Sequence, residues 1–155
     1  MIDLMEIDHL LDYGCGHNLS LMETLKPTRD FRYQGYDPGV PEYAGDPIPA
    51  DMVVCIDVLE HIEPECLDDV LDHLEALVER VLFATVHTGP AGKNLPDGRN
   101  AHLIQEPPEW WLPKFMERFE LQGFNSRGNT GFEVVCIAND YYRGVGSVNG
   151  SGSEG

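Results

Sequence analysis

The chain has 155 residues, 42% of them hydrophobic, with ten basic and 27 acidic side chains and a formal charge of −17. That is the size of one domain able to bury its own core, and the apolar fraction excludes general disorder. No run approaches ~20 consecutive apolar residues, so no membrane span is expected. No basic face balances the acids, so binding to DNA is disfavoured.

Met1 to Asp8 carries three acids and no base. It lacks the basic region and apolar stretch of a signal peptide, so the expectation is a cytoplasmic protein. Cys15, Cys55, Cys66 and Cys136 form no CxxC pair and no disulfide framework. Cys55 and Cys136 sit in apolar runs and read as small core residues.

In chain order, His9–Tyr13 reads as a short buried strand ended by Gly14-Cys15-Gly16. Leu19–Leu25 follows as a short helix that stops before Lys26-Pro27. Phe31–Tyr36 is a second strand, stopped by Asp37-Pro38-Gly39. Val40–Ala50 is too short and too rich in Pro and Gly for a full helix, and a stub of a third strand is expected near Tyr43–Asp46. Met52–Val58 is almost wholly apolar, as a strand covered on both faces must be. Cys66–Glu79 is an amphipathic helix, and Val81–Val86 the next strand. The long stretch His87–Pro108 is irregular. Trp110–Phe119 reads as a helix, followed by strands near Leu121–Asn125 and Phe132–Ala138. Strands alternating with helices predict an α/β fold with a mainly parallel sheet. Residues 1–143 read as the domain and Gly144–Gly155 as a flexible Gly/Ser-rich tail.

Two features at strand ends point to a nucleoside site. Glycines after the first strand permit close backbone approach to a ligand, beside a helix N-terminus with free amides. Asp37 ends the second strand some twenty residues later, where a carboxylate can accept both hydroxyls of a ribose. Asp37 could instead cap an Asp-Pro-Gly turn, but the paired motif favours the ribose role. Leu19 stands where a dinucleotide fingerprint needs its last glycine, so a nicotinamide site fails.

The segments LLDYGCG, YQGYDPG, GDPIP and ADMVVCIDVLEHIEPE, with the later HLIQEPPEWWLPKFMERFELQGF, resemble the successive signatures of class I S-adenosylmethionine-dependent methyltransferases. The resemblance covers Leu10 to Ala138. It implies a doubly wound, Rossmann-like sheet of seven strands, mainly parallel with an antiparallel last strand. It also implies S-adenosyl-L-methionine as the cofactor. Gly14, Cys15 and Gly16 would hold its methionine part, with Asp12 orienting that loop or the ammonium. Asp37 would bind the ribose, with Pro38 near the adenine. Asp46 and Pro47 would meet the adenine edge, and Ile56 and Asp57 would close the site.

Three departures stand out. Asn18 replaces the usual third loop glycine. The region between the second and fourth strands of the family is trimmed. No helices precede the first strand here, so the site is open, or is closed by a partner subunit or a second copy.

Sequence motifs for amino methylation of bases and for pyrimidine C5 chemistry are missing, which leaves O- or N-methylation of a small molecule or a sugar or polymer end. O-methylation of a small-molecule acceptor is the expectation. Direct in-line transfer then needs only positioning and removal of one proton. Asp57, Glu60 and His61, with His102 downstream, resemble the constellation of metal-dependent small-RNA 2′-O-methyltransferases and of quinone-pathway O-methyltransferases. The four would hold Mg²⁺ or Mn²⁺, which lowers the pKa of a bound hydroxyl. Without an ion, His102, His61 or Asp57 serves as a general base or a structural contact. Lys93, Asp97, Arg99, Asn100, His102, Trp110 and Trp111 suit acceptor recognition, with packing the expected role of at least one tryptophan. A non-catalytic cofactor-binding subunit of a larger complex is the rival from another class.

Overall fold

The computed structural model describes residues 1–141; the predicted tail lies outside them. Six strands form a single sheet: β1 (His9–Tyr13), β2 (Arg32–Tyr36), β3 (Ala50–Ile56), β4 (Val78–His87), β5 (Phe119–Ser126) and β6 (Gly131–Ala138). Three helices accompany them: α1 (Ser20–Thr24), α2 (Leu67–Leu77) and α3 (Pro108–Met116).

The strand order is β2-β1-β3-β4-β6-β5. The first four strands pair in parallel, and β6 runs antiparallel to both β4 and β5. The chain leaves β1 towards β2 and returns to β3 on the other side of β1. This reversal opens a crevice at the carboxyl ends of the strands, where ligands bind in such sheets.

The central strand shows why the parallel core reads as continuously apolar. On β3, Val53 and Cys55 join the core beneath α2 and α3, whereas Met52 and Val54 join the cluster on the opposite face. The first face is closed. Helix α2 buries Leu67, Leu71, Leu74 and Leu77, one stripe at helical spacing. Asp68 and Asp69 lie in its first turn, favourable to the helix dipole. Helix α3 starts on Pro108, which has no N–H to leave unpaired, and buries Trp111 and Phe115 one turn apart. Cys55 and Cys136 are fully buried there, as expected.

The second face is thinly covered. Helix α1 has five residues and buries none, shorter than the predicted Leu19–Leu25 because Leu25 has already turned extended. The N-terminal turn contributes Ile2 and Ile7, tied to β4 by Arg80, which donates to the Met5 carbonyl at 2.7 Å. An apolar groove of about 330 Å³ remains, lined by Leu10, Leu21, Leu25, Val54, Ile56 and Phe83 among others.

Two expectations are corrected. The stub of a third strand near Tyr43–Asp46 is instead a single 3₁₀ turn, Pro41–Tyr43. The sheet therefore has six strands and not the implied seven. The linker from β2 must travel from one end of the sheet to the other to enter β3 in parallel. That traverse consumes its residues, and Pro41 removes a donor that a strand would need.

Candidate active site

Backbone groups shape the β1–β2 half of the carboxyl edge. Gly14 and Gly16 adopt φ of 80° and 65°, a region that side chains disfavour. The two glycines do different jobs. A Cβ on Gly14 would lie 2.3 Å from Val58 Cγ2, so packing requires this glycine; a Cβ on Gly16 would meet nothing within 4 Å and faces open space. The Gly14 and Cys15 amides donate to the Tyr36 carbonyl at 2.7 and 3.2 Å, tying the loop to the end of β2. Asp37 completes the tie. Its Oδ2 accepts from Gly16 N and its Oδ1 from Gly39 N, both at 2.9 Å. The turn-capping role is thus realised, and each oxygen retains a lone pair for a ligand hydroxyl.

A cavity of about 290 Å³ lies beside the loop, lined by Asp12, Gly14, Cys15, Ser20, Leu21 and Ile56 among others. A second, of about 640 Å³, lies across it against Asn18, Leu19 and Tyr43. Asn18 thus borders open space where the family's third glycine would stand. Pro38 is exposed beside Asp37. Asp46 is exposed and Pro47 half-buried, and neither lines these two cavities.

Asp12 is a buried carboxylate facing the smaller cavity. Burial raises its pKa above the ordinary carboxylate range, and a hydrogen bond from the Tyr33 hydroxyl opposes this. Burial and the nearby charges of Asp12 and Asp37 push the Cys15 thiol up to about 11. It stays protonated at neutral pH and is no nucleophile.

Side chains shape the β3–β4 half. Asp57 follows β3 with φ of 51°, a conformation strained for a residue with a side chain. Thr85 of β4 holds it: the Asp57 amide donates to Thr85 Oγ1 at 3.0 Å, and that hydroxyl donates to Asp57 Oδ1 at 2.7 Å. The chain then makes one 3₁₀ turn, Leu59–His61, which buries Leu59 and turns Glu60 inward. Glu60 is fully buried. Its Oε1 accepts from the His87 amide at 3.0 Å, while its buried Oε2 has no partner. Burial raises its pKa, with the hydrogen bonds from the backbone opposing.

Two imidazoles stand beside this carboxylate, and a third packs against one of them. His61 and His102 pack edge-on with ring centres 4.7 Å apart, and His87 lies 4.8 Å from His102. His61 Nδ1 donates to the Ala101 carbonyl and His102 Nδ1 to the Gly89 carbonyl, each at 2.7 Å. A carbonyl only accepts, so both rings carry hydrogen on Nδ1 and present the Nε2 lone pair when neutral. One donor atom each from Glu60, His61 and His102 lies within 4.8 Å of the others. Asp57, expected as a fourth ligand, is not in this group.

The segment between β4 and α3 frames the cluster. The Asn100 carboxamide accepts from Ala91 N at 2.9 Å and donates to Ala91 O at 3.0 Å. Its oxygen also accepts from the His102 amide. Arg99 pairs with Asp97 and Glu63 at 2.8 Å. Trp111 is buried, with its indole N–H on the Glu106 carbonyl; Trp110 is at the surface under the Lys114 ammonium. Packing is therefore the role of Trp111.

The sequence points to Glu60, His61 and His102 and, for acceptor recognition, to Asn100, which here braces Ala91 and the His102 amide; it does not single out His87 or Thr85. His87 ends β4 at the carboxyl edge, the same signal that singled out Asp57. Thr85 and Asn100 act through hydrogen bonds that no spacing rule encodes.

No protein-family profile and no characterised protein sequence matches the chain. Solved structures do. An O-methyltransferase family protein from Burkholderia thailandensis superposes with a TM-score of 0.66 at 15% identity, over 89% of this chain and 53% of its own. This chain therefore spans about half of that protein's length. The magnesium protoporphyrin IX methyltransferase of Synechocystis, solved with bound S-adenosylhomocysteine, gives 0.58 at 18% identity, over 84% and 73%. The methyltransferase domain of bacterial CtHen1-CN gives 0.58 at 15%, over 88% and 93%. The fold is that of the class I S-adenosylmethionine-dependent methyltransferases. Within that fold, the described residues form six strands and lack the third of the seven that the sequence signatures imply.

Proposed function

We propose that this chain is an S-adenosylmethionine-dependent methyltransferase acting on an oxygen acceptor, with a divalent ion held by Glu60, His61 and His102. One observation carries the reading. A cradle fit for the nucleoside and a buried carboxylate with two oriented imidazoles share one sheet edge. The neighbours with bound S-adenosylhomocysteine support the cofactor.

The residues present fit both groups. Gly16 leaves open space beside a tethered loop, Asp12 offers a buried negative charge to an ammonium, and Asp37 keeps lone pairs for ribose hydroxyls. The orphaned Glu60 oxygen, left unpaired at a cost of about 1–3 kcal/mol, fits a metal ligand. Two imidazoles with one carboxylate suit Mn²⁺ better than Mg²⁺, which takes oxygen ligands. Such an ion supplies Lewis acidity to an acceptor hydroxyl. The chain's own residues do the rest. Ala101 and Gly89 carbonyls fix the imidazole tautomers, and Asn100 holds the segment that carries His102. Thr85 orients Asp57 at the boundary between the two halves. In the absence of an ion, the Nε2 of His102 or His61 accepts the hydroxyl proton.

Calorimetry tests this reading. S-Adenosylhomocysteine and Mn²⁺ should each bind, without competing. A protein that binds neither is no such enzyme; one that binds S-adenosylhomocysteine alone uses a histidine base.

The thinly covered sheet face supports a partner subunit or a second copy of the chain as part of the working assembly, because parallel strands are ordinarily covered on both faces. The acceptor is a small molecule or a sugar end. The resemblance of Asp57, Glu60, His61 and His102 to the constellation of small-RNA 2′-O-methyltransferases keeps a nucleic-acid 2′-hydroxyl as the second reading, which the charge of −17 opposes.

A further inference from the structure

The cavity over the histidines has two chemically opposite walls. It measures about 450 Å³, and His61, His102, His87, Gly92 and Lys93 line it. His61 and His102 offer lone pairs. His87 is turned the other way: its Nδ1 accepts from the Gly89 amide at 3.3 Å, so the neutral ring keeps its hydrogen on Nε2. Lys93 lines the same cavity.

Lys93 is unusual in its own segment. Arg99, six residues on, is consumed by Asp97 and Glu63. Arg118 is likewise held by Asp72 and Asp68. Lys93 makes no side-chain hydrogen bond or ion pair among the described residues, in a chain with 27 acids and ten bases. Its backbone is nevertheless held in place. Its carbonyl accepts from Ala101 N at 3.1 Å, and the Ala101 carbonyl receives His61. The backbone that carries the cation is thereby tied to the imidazoles through two consecutive hydrogen bonds, and the exposed side chain extends from it along the cavity wall. The lining residues between the walls, Pro90, Ala91 and Gly92, are compact and leave the space open.

We infer that this cavity is an oxyanion subsite: the methyl acceptor carries a phosphate or carboxylate, which Lys93 and His87 bind while its hydroxyl lies over His61 and His102. The inference rests on the proposed methyltransferase reading and narrows its substrate class. Elsewhere a chain of this charge repels anions. Donors and lone pairs lining one cavity favour one orientation of an anionic hydroxy compound.

The test uses the full chain, free of metal, at pH 8. Inorganic phosphate, and separately acetate, is titrated while the His87 ring nitrogens are followed by NMR. A saturable shift at His87 is expected with at least one of the two probes. Lys93→Gln should weaken it about tenfold, the scale of one charge-assisted hydrogen bond, and Lys93→Arg should restore it. A response to phosphate alone assigns a phosphoester acceptor; a response to acetate assigns a carboxylate. No saturable shift with either, or equal affinity in wild type and Lys93→Gln, overturns the inference. Mn²⁺ calorimetry on Lys93→Gln separates the two levels. Retained Mn²⁺ binding with lost phosphate binding supports the subsite. Absence of Mn²⁺ binding in wild type removes the metal reading and leaves the anion result standing.

Discussion

Along the carboxyl edge, the β1–β2 half is drawn in backbone amides satisfied by the Tyr36 carbonyl and by one carboxylate, Asp37, whereas the β3–β4 half is drawn in imidazoles beside a carboxylate, Glu60, that is left half satisfied. The first half holds itself together with no ligand present. The second carries an unpaired buried oxygen and strained backbone at Asp57. Its geometry is held from outside, by Ala101, Gly89 and Asn100. A half already closed on itself can lose a contact and keep its shape. A half built to be completed fails as a ligand site when any member is lost.

Glu60→Gln should break the second half most severely. The amide keeps the shape and one acceptor for the His87 amide but loses the charge. Mn²⁺ affinity should fall by more than about a hundredfold, beyond the 10–100-fold typical of outer-shell partners. S-Adenosylhomocysteine binding should be unchanged. Calorimetry with both ligands reads this directly, and an equal loss of both would erase the division into halves.

Asp37→Ala is the matching cut in the first half. It frees the Gly16 and Gly39 amides and removes the acceptor for ribose hydroxyls. S-Adenosylhomocysteine affinity should drop by about 10–100-fold, the scale of one or two hydrogen bonds to a charged group, with Mn²⁺ affinity intact. Unchanged cofactor affinity would leave Asp37 as a turn cap only.

Asn100→Ala tests the outside support and should have a smaller effect. Asn100 touches neither proposed ligand and acts by fixing the His102 amide against Ala91. Mn²⁺ binding should weaken about tenfold, and Asn100→Asp, which keeps the accepting oxygen, should recover part of it. A merely structural role would lower thermal stability and leave Mn²⁺ affinity at its original value.

The same division separates what was legible in the sequence from what was not. His9–Tyr13 and the apolar run of β3 declare themselves, because a parallel strand covered on both faces has no polar positions to confuse the pattern. The glycine loop and Asp37 are legible for the same reason: backbone needs select residue types at fixed spacing. Glu60, His61 and His102 were found as a set by resemblance. Periodicity does not place His102 beside His61; a segment between β4 and α3 folds back to do so. Asp57 was included by its spacing, but the left-handed turn after β3 directs its carboxylate to Thr85. The missing third strand is a matter of length, legible as trimming and not as a strand count.

Asp12 offers the finest test, because it stands in the half described as self-sufficient and yet weighs against folding. Its carboxyl is buried with one hydroxyl donor, and burial raises its pKa above the unfolded value. The sign follows from linkage. Between the unfolded and folded values the native state binds more protons, so this group makes stability fall as pH rises through that window. Above the window it is ionised, buried and weakly compensated. Asp12→Asn does not titrate and keeps an acceptor for Tyr33. Relative to wild type it should therefore be more stable at pH 8, by on the order of 1 kcal/mol and about 2–4 °C in Tm, with the gain vanishing in acid. The same variant should bind S-adenosylhomocysteine about tenfold more weakly at pH 8, because an amide cannot pair with an ammonium. Melting curves from pH 4 to 8, beside calorimetry, check both signs. A variant less stable at every pH would show that Asp12 is a structural partner of Tyr33. A variant more stable and equally tight would remove it from the cofactor site. Stability gained with affinity lost would mean that the first half, too, retains one charge that only a bound ligand compensates.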